Sequence, residues 1–335
     1  MHRWVRIVAG ILGLALGSAM ANAGSISSDV SRHALAPDQT QLFPLGELNV
    51  GEVVFGITTP VSGLPNDFDD PDTQVATFFE SDLGPADLSS LILTANDDSD
   101  ADNNVSSDAL GSLYRLEAAF QDRYVVGVTG FDDFFTGSGH GEQGEYLLTM
   151  GHIDPTTPGG DFSDSDATND SRAGADTLGL ASNQAKVAVN TLASGAAGDV
   201  DFYSIGLFAG DVLTAMTAPL ASLSDDFDSP DTMIIVFDAF GNLLFDDDQA
   251  GGDLSDFAID TVGTTAANGS AVHLLAPITG TYHFAVTGFD DPFAVGGHTM
   301  VGDYALLVSR VPEPATALML GLGGALLMPR RARRR

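Results

Sequence analysis

Carboxylates are the chemistry-bearing groups of this 335-residue chain. Of its 46 acidic side chains, 39 are Asp and only seven are Glu. The short Asp side chain bonds readily to its own backbone in turns. The same shortness suits cages in which several oxygens converge on a hard cation at roughly 2.3–2.6 Å. The acids are clustered. Asp67, Asp69, Asp70 and Asp72 are followed by Asp97 and Asp98, then by Asp132 and Asp133. Asp225, Asp226, Asp228 and Asp231 are followed by Asp246, Asp247 and Asp248, then by Asp290 and Asp291. The candidate cation ligands are Asp67, Asp69, Asp72, Asp97 and Asp98 in the first set and Asp226, Asp228, Asp231, Asp246 and Asp247 in the second. Like charges at such spacing are costly unless a cation neutralises them or solvent screens them. Calcium is the natural cation for this oxygen chemistry. A hydrated acidic surface of Asp-rich turns is the competing reading, and the two stand side by side.

Other catalytic signals are sparse. Asp98-Ser99-Asp100-Ala101-Asp102 begins like a calcium loop but lacks the glycine and closing glutamate of an EF-hand. His140 and His298 follow equivalent glycines, Gly139 and Gly297, with no flanking nucleophile motif, and read as turn or packing residues. His152, His273 and His283 lie in or beside strand patterns and read the same way. There is no G-x-S-x-G elbow, H-E-x-x-H helix or P-loop. The absence of cysteine excludes disulfides, thiolate metal sites and a cysteine nucleophile. A net charge of −33 repels phosphates, which excludes nucleic acid as a partner. Counting carboxylates does not exclude glycoside hydrolysis. However, Trp4 is the only tryptophan, and it sits in a leader-like segment, so Tyr114, Tyr203 and the phenylalanines are the rings left to stack on a sugar.

Two copies of one β domain position these groups. Ile57 to Thr73 matches Met216 to Thr232 without a gap, Tyr124 to Asp133 matches Tyr282 to Asp291, and Gly144 to Leu148 matches Gly302 to Leu306. Chance likeness between acidic segments would not keep aromatic, glycine and proline positions together, so the chain carries an internal duplication. Thr232 to Phe237 is a short β-branched run, turned at Gly241 and returned by Leu243-Leu244-Phe245, which is a hairpin signal. That return should bring Asp246 back beside Asp231. Asp201 to Ile205, Val212 to Thr214, Thr281 to Thr287 and Tyr304 to Val308 are also of strand type and length. Tyr146 and Tyr304 occupy equivalent places suited to the core or a tyrosine corner. Seven or eight short strands per copy, separated by Gly, Asp and Pro turns, predict an all-β protein of two tandem jelly-roll-like β-sandwich domains. The polar stretch from Asp154 to Ala175 predicts a flexible acidic linker between them.

The two ends read as transport addresses. His2, Arg3 and Arg6 precede an apolar run from Ile7 to Ala19, and Ala21-Asn22-Ala23 supplies a small-x-small cleavage pattern, so residues 1–23 are expected to be a signal peptide. At the other end Val311-Pro312-Glu313-Pro314-Ala315-Thr316 precedes an apolar run from Ala317 to Met328 and a tail of five arginines. The run is short for a transmembrane segment, and the arginines would hold its end on the cytoplasmic side, giving a transient inner-membrane anchor. The prolines are expected to end the folded domain. Removing both ends leaves residues 24–311 with a net charge of −39.

This C-terminal order of proline motif, apolar run and arginine cluster resembles the PEP-CTERM sorting signal of exported proteins in Gram-negative bacteria. The resemblance implies an exosortase-type processing enzyme that recognises Pro312, Glu313 and Pro314, and delivery to the cell surface or extracellular matrix. Residues 197–310 also resemble the bacterial pre-peptidase C-terminal domain. The resemblance is carried by Asp199-Val200-Asp201-Phe202-Tyr203, Ala209-Gly210-Asp211, Phe237-Asp238, Gly241-Asn242-Leu243-Leu244, Asp246-Asp247, Ala276 to Tyr282 and Gly302-Asp303-Tyr304. It implies a non-catalytic β-sandwich used in targeting, binding or assembly. The first copy departs from that pattern at Pro44 and at Phe120-Gln121-Asp122-Arg123.

The expected organisation is a signal peptide (1–23), a first sandwich (40–153), a linker (154–196), a second sandwich (197–310) and the sorting signal (311–335). The expected function is a non-catalytic surface or matrix protein of structural or adhesive modules, with calcium as the candidate stabilising ion. A calcium-dependent polysaccharide-binding module and a secreted hydrolase with an unrecognised carboxylate site are the alternatives.

Overall fold

Short β-branched and apolar runs become strands throughout a computed structural model that describes residues 26–61, 71–84, 87–96, 102–103, 111–137, 139–154, 160–162, 168–193, 199–220, 230–247 and 269–312. The first half contains β1 (Ser27–Leu35), β2 (Gln41–Leu48), β3 (Val53–Pro60), β4 (Thr73–Phe79), β5 (Thr94–Asn96), β6 (Asp102–Asn103), β7 (Leu113–Glu117), β8 (Asp122–Gly130) and β9 (Gly144–Ile153). The second contains β10 (Asp176–Thr177), β11 (Gln184–Leu192), β12 (Asp201–Leu207), β13 (Asp211–Pro219), β14 (Thr232–Phe237), β15 (Leu243–Asp247), β16 (Ala271–Leu275), β17 (Gly280–Gly288) and β18 (Gly302–Pro312).

Each half is a pair of sheets, and the chain is all-β. The first pair has orders β1-β9-β3-β7 and β2-β8-β4-β5. The second repeats them as β11-β18-β13-β16 and β12-β17-β14-β15, with β6 added to the first sheet and β10 to the second. The duplication seen in the sequence is therefore a duplication of topology. Between the sheets of each pair lies an apolar layer, with Val54, Tyr114, Val126 and Leu148 in the first half and Ile205, Ala215, Phe284 and Leu306 in the second.

The same hydroxyl network ties the sheets together in both halves. Thr58 Oγ1 lies 2.7 Å from Thr73 Oγ1 and accepts the amide of Ser112 at 2.7 Å. Thr217 Oγ1 lies 2.7 Å from Thr232 Oγ1 and accepts the amide of Ser270 at 2.8 Å. All six residues are buried, where an unmet polar group would be costly.

A third apolar layer joins the halves. Val53, Phe55, Ile57, Leu113 and Leu147 of the first half pack in one cluster with Val187, Val212, Met216, Leu307 and Val311 of the second. The sheets carrying β3 and β13 thus face each other, and the molecule is a stack of four sheets. Among the polar contacts across this layer, those of Arg115 and His273 come from equivalent positions, as expected where two equivalent surfaces meet. Arg115 pairs in register with Phe55, as His273 does with the equivalent Thr214. Arg115 donates to the carbonyl of Pro219 at 3.0 Å. Its counterpart His273 places Nδ1 3.2 Å from the hydroxyl of Thr59, beside the equivalent Pro60, and 3.3 Å from that of Thr214. Thr149 and Ser309 hydroxyls meet at 3.0 Å.

Segments expected to be linker join the stack. β11 falls inside residues 154–196, yet its alternating Ala185, Val187 and Val189 cover the edge of β18. Asp161 accepts the amide of Val187 at 3.1 Å and the hydroxyl of Ser28 at 3.0 Å, and Gly160 bridges to Ala188. The flexible linker is corrected accordingly: these segments are bonded to a sheet edge. β1 likewise lies ahead of the expected first boundary at residue 40 and pairs with β9 along its full length. β6, from a loop of the first half, pairs in parallel with β16 of the second.

At the C-terminal boundary, Val311 and Pro312 are the last residues of β18, so the body continues beyond residue 310. The signal peptide and the run from Ala317 to Met328 lie outside the described residues. The transmembrane expectation is corrected: among the described residues no helix is long and apolar enough to cross a membrane. The C-terminal run itself is shorter than the roughly 20 residues of a stable span.

His273 carries a pH prediction. Burial pushes its imidazole down to about 3, so the folded state favours the neutral ring. This contribution is complete above the ordinary histidine value near 6.5 and is lost as pH falls from there toward 3. Thermal melts should show His273→Gln losing less stability than the parent chain between pH 7 and pH 5, by about 2 kcal/mol. Parallel losses would contradict the assignment.

Candidate functional site

The equivalent rim loops after β8 and β17 hold Asp132, Asp133 and His140 in the first half and Asp290, Asp291 and His298 in the second. Each begins with a Phe-Asp-Asp triplet and ends at a Gly-His pair. The Phe131 amide donates to the carbonyl of Asp72 at 3.1 Å, and the Phe289 amide to that of Asp231 at 3.0 Å. Asp72 and Asp231 therefore stand at the same point in each half, immediately before β4 and β14, with the loop docked on them. The amide of Asp72 also donates to Glu142 at 3.3 Å.

Within each Asp-Asp pair the two residues differ in role. Asp132 and Asp290 are exposed and left-handed, with φ of 74° and 71°, a conformation Asp tolerates better than most residues. Asp133 and Asp291 are buried, each 2% exposed. Asp291 accepts the Thr287 hydroxyl at 2.9 Å and the amides of Val295 and Gly296 at 3.0 and 2.8 Å. Asp133 accepts the Thr129 hydroxyl at 2.9 Å and the Gly139 amide at 3.3 Å. These buried carboxylates act as staples that close their loops.

The histidines finish the closure. His140 Nε2 lies 3.0 Å from the Gln39 carbonyl and His298 Nε2 2.7 Å from the Asp199 carbonyl, which joins each loop to the approach of the second strand. Both rings pack on glycine. A Cβ on Gly130 would lie 2.2 Å from His140 Nδ1, and one on Gly288 2.3 Å from His298 Nδ1. The turn-or-packing reading of these histidines describes what they do here. His152 is also buried and lies 3.2 Å from Glu52.

The expected carboxylate corner is less convergent. In the hairpin of β14 and β15, Asp246 pairs with Ile235 and Asp247 with Ile234. Asp246 is thus level with a residue four positions beyond Asp231, roughly 13 Å along the strand. The expectation that Asp246 returns beside Asp231 is corrected: the turn at Gly241 does reverse the chain, but the pairing register sets the two carboxylates apart. Asp67, Asp69, Asp97, Asp98, Asp226 and Asp228 lie outside the described residues. So do Glu313 and Pro314 of the sorting tripeptide, while Pro312 lies at the end of β18. Among the described residues no group of three or more His, Asp or Glu side chains is placed to hold a metal ion.

Of the rings expected to be available for stacking, the tyrosines are core residues, whereas Phe120, Phe131, Phe208, Phe240, Phe289 and Phe293 are exposed. Tyr114 and Tyr203 are fully buried, as are Tyr124, Tyr146, Tyr282 and Tyr304. The i, i−4 bond of a tyrosine corner belongs to Tyr124 and Tyr282, whose hydroxyls donate to the carbonyls of Phe120 and Ile278, each at 2.8 Å. Tyr146 and Tyr304 instead donate within the core, to Gln41 and Asp201, both at 2.6 Å.

No family model and no curated protein matches the chain. Among solved structures, one of Sulfolobus Turreted Icosahedral Virus aligns at 11% identity and a TM-score of 0.23, covering 90% of this chain and 95% of that one. The CUB1-EGF-CUB2 domain of human MASP-1/3 aligns at 7% identity and 0.21, covering 84% and 99%. Tandem CBM51 modules of a family 98 glycoside hydrolase from Streptococcus pneumoniae align at 10% and 0.21, covering 77% of each chain. At scores this low the likenesses carry no argument about fold or activity.

The staple assignment separates neighbouring carboxylates. Asp291→Ala should destabilise the chain by about 2–3 kcal/mol, because it leaves buried amides and a hydroxyl unmet. Asp290→Gly should stay within about 0.5 kcal/mol of the parent, since glycine accepts the same φ. Chemical denaturation of both variants checks this, and equal effects would contradict the division of roles.

Proposed function

We propose that this chain is an exported, non-enzymatic protein of the cell surface or extracellular matrix of a Gram-negative bacterium, with a structural or adhesive role. Its body is two jelly-roll-like sandwiches. The order of the sheets supports that topology, since the first, eighth, third and sixth of the eight repeated strands face the second, seventh, fourth and fifth. The observation that carries the functional reading is the use of the chemically able side chains. In both halves the second loop aspartate, Asp133 or Asp291, and the loop histidine are buried and engaged with loop amides, a threonine hydroxyl and a strand-entry carbonyl, which points to a structural use. The ends of the chain support export, with a leader-like start and a Pro312-Glu313-Pro314 tripeptide for an exosortase-type processing enzyme.

Calcium is the counter-ion proposed for the acidic rim, because net charge this far from zero repels itself and a divalent oxygen-seeking ion relieves that most efficiently. Extracellular polysaccharide is the proposed surrounding material, and buried tyrosines and the absence of tryptophan beyond Trp4 favour embedding in it over sugar-by-sugar recognition.

Three assays on the purified chain test this reading. The expected results are no turnover on a panel of glycosides and esters, a melting temperature raised by several degrees in millimolar calcium and restored by chelator, and no saturable retention on matrix polysaccharide. Turnover abolished by a single Asp→Asn change would establish the hydrolase. Saturable, chelator-sensitive retention would establish the binding module. A melt indifferent to calcium would remove the ion.

A further inference from the structure

The folded body and the expected sorting tripeptide overlap at one residue, Pro312. β18 pairs with β11 as far as Arg310 and with β13 to its end, where Val311 stands opposite Val212 and Pro312 opposite Asp211. Val311 is buried in the apolar layer between the halves. The residue before it is pinned from several sides. Arg310 forms an ion pair with Asp211 at 2.7 Å, donates to the Leu180 carbonyl at 3.2 Å and lies 5.2 Å over the ring of Phe208. Asp211 also accepts the Phe208 amide at 2.8 Å. Both members of the pair are buried, and separating such a pair strands a charge in the interior. From the first half, Arg32, paired with Glu145 at 2.9 Å, reaches the Pro312 carbonyl at 3.5 Å.

A processing enzyme must hold several consecutive residues in its own cleft, and a strand end that is paired along one side and anchored by a buried ion pair must first be freed to enter it. We propose that the buried Arg310–Asp211 pair retains Pro312 in the last strand, so that the whole Pro312-Glu313-Pro314 tripeptide becomes readable only when the end of β18 peels away. This rests on the sorting-signal reading above. Folding and processing compete for one residue, and the rate of tail removal reports how firmly the strand end is held. Processing is then tied to the state of the fold at its final strand.

The test uses the full chain in a Gram-negative host that carries an exosortase-type enzyme, with tail removal followed by gel mobility. Inserting Gly-Ser-Gly-Ser between Val311 and Pro312 moves the tripeptide roughly 13 Å from the body and leaves the contacts of Arg310 in place. Removal should be about tenfold faster for the insertion, and faster also for Arg310→Met. Hydrogen exchange on the purified parent chain supplies a second readout: the peptide covering 305–312 should exchange slowly to its end, and Arg310→Met should speed its last residues. Equal removal rates for parent and insertion, or fast exchange at Val311 in the parent, would overturn the proposal. A tail that stays on both chains would overturn the sorting-signal reading, and the retention of Pro312 as a control on processing falls with it.

Discussion

The apolar layer between β3 and β13 is the constraint on which the rest of the molecule depends. A sandwich domain usually buries one face of each sheet and leaves the other to water. Here the sheets of β3 and β13 are buried on both faces, so β3 and β13 are buried at every position, with their threonines hydrogen-bonded inside. A half lacking its partner would expose Phe55 and Ile57, or Met216 and Leu307, to solvent. At roughly 25 cal/mol per Å² of apolar surface, that exposure is a large fraction of a domain's net stability. The duplicated sequence therefore produces one body whose two halves complete each other.

Polar groups within this layer follow from the same constraint. Two equivalent surfaces that meet bring equivalent positions into opposing contact, and any polar side chain there must find a partner across the seam. Arg115 and His273 occupy equivalent positions and both reach the other half, one to a carbonyl and one to a hydroxyl. Their identities have diverged while their geometry has not. The outer loops, free of the seam, have diverged further: Phe135 is buried in its loop, whereas Phe293 is exposed.

Much of this was legible in the chain itself. The run TMIIVF, its turn and its return became β14 and β15, and the gapless match of Ile57 to Thr73 with Met216 to Thr232 became two copies of one topology. The packing role of His140 and His298 could be read from their glycine neighbours and the lack of a nucleophile. What could not be read was register and seam. Alternation shows which residues face inward in a hairpin but not which pairs are opposite, and so Asp246 was expected beside Asp231 and stands level with Ile235 instead. Polar composition made Asp154 to Ala175 look like a spacer, although Asp161 caps the edge of β11. Tyr114 and Tyr203, available in principle for stacking, are core residues, and the partners of the Tyr203 hydroxyl, Asn190 and Tyr304, lie on other strands that composition does not place beside it.

Whether the two halves form one cooperative body is decided by differential scanning calorimetry of the intact chain. The shared layer predicts a single transition whose calorimetric and van 't Hoff enthalpies agree. Two separable transitions, each with the enthalpy of about half the chain, would contradict it.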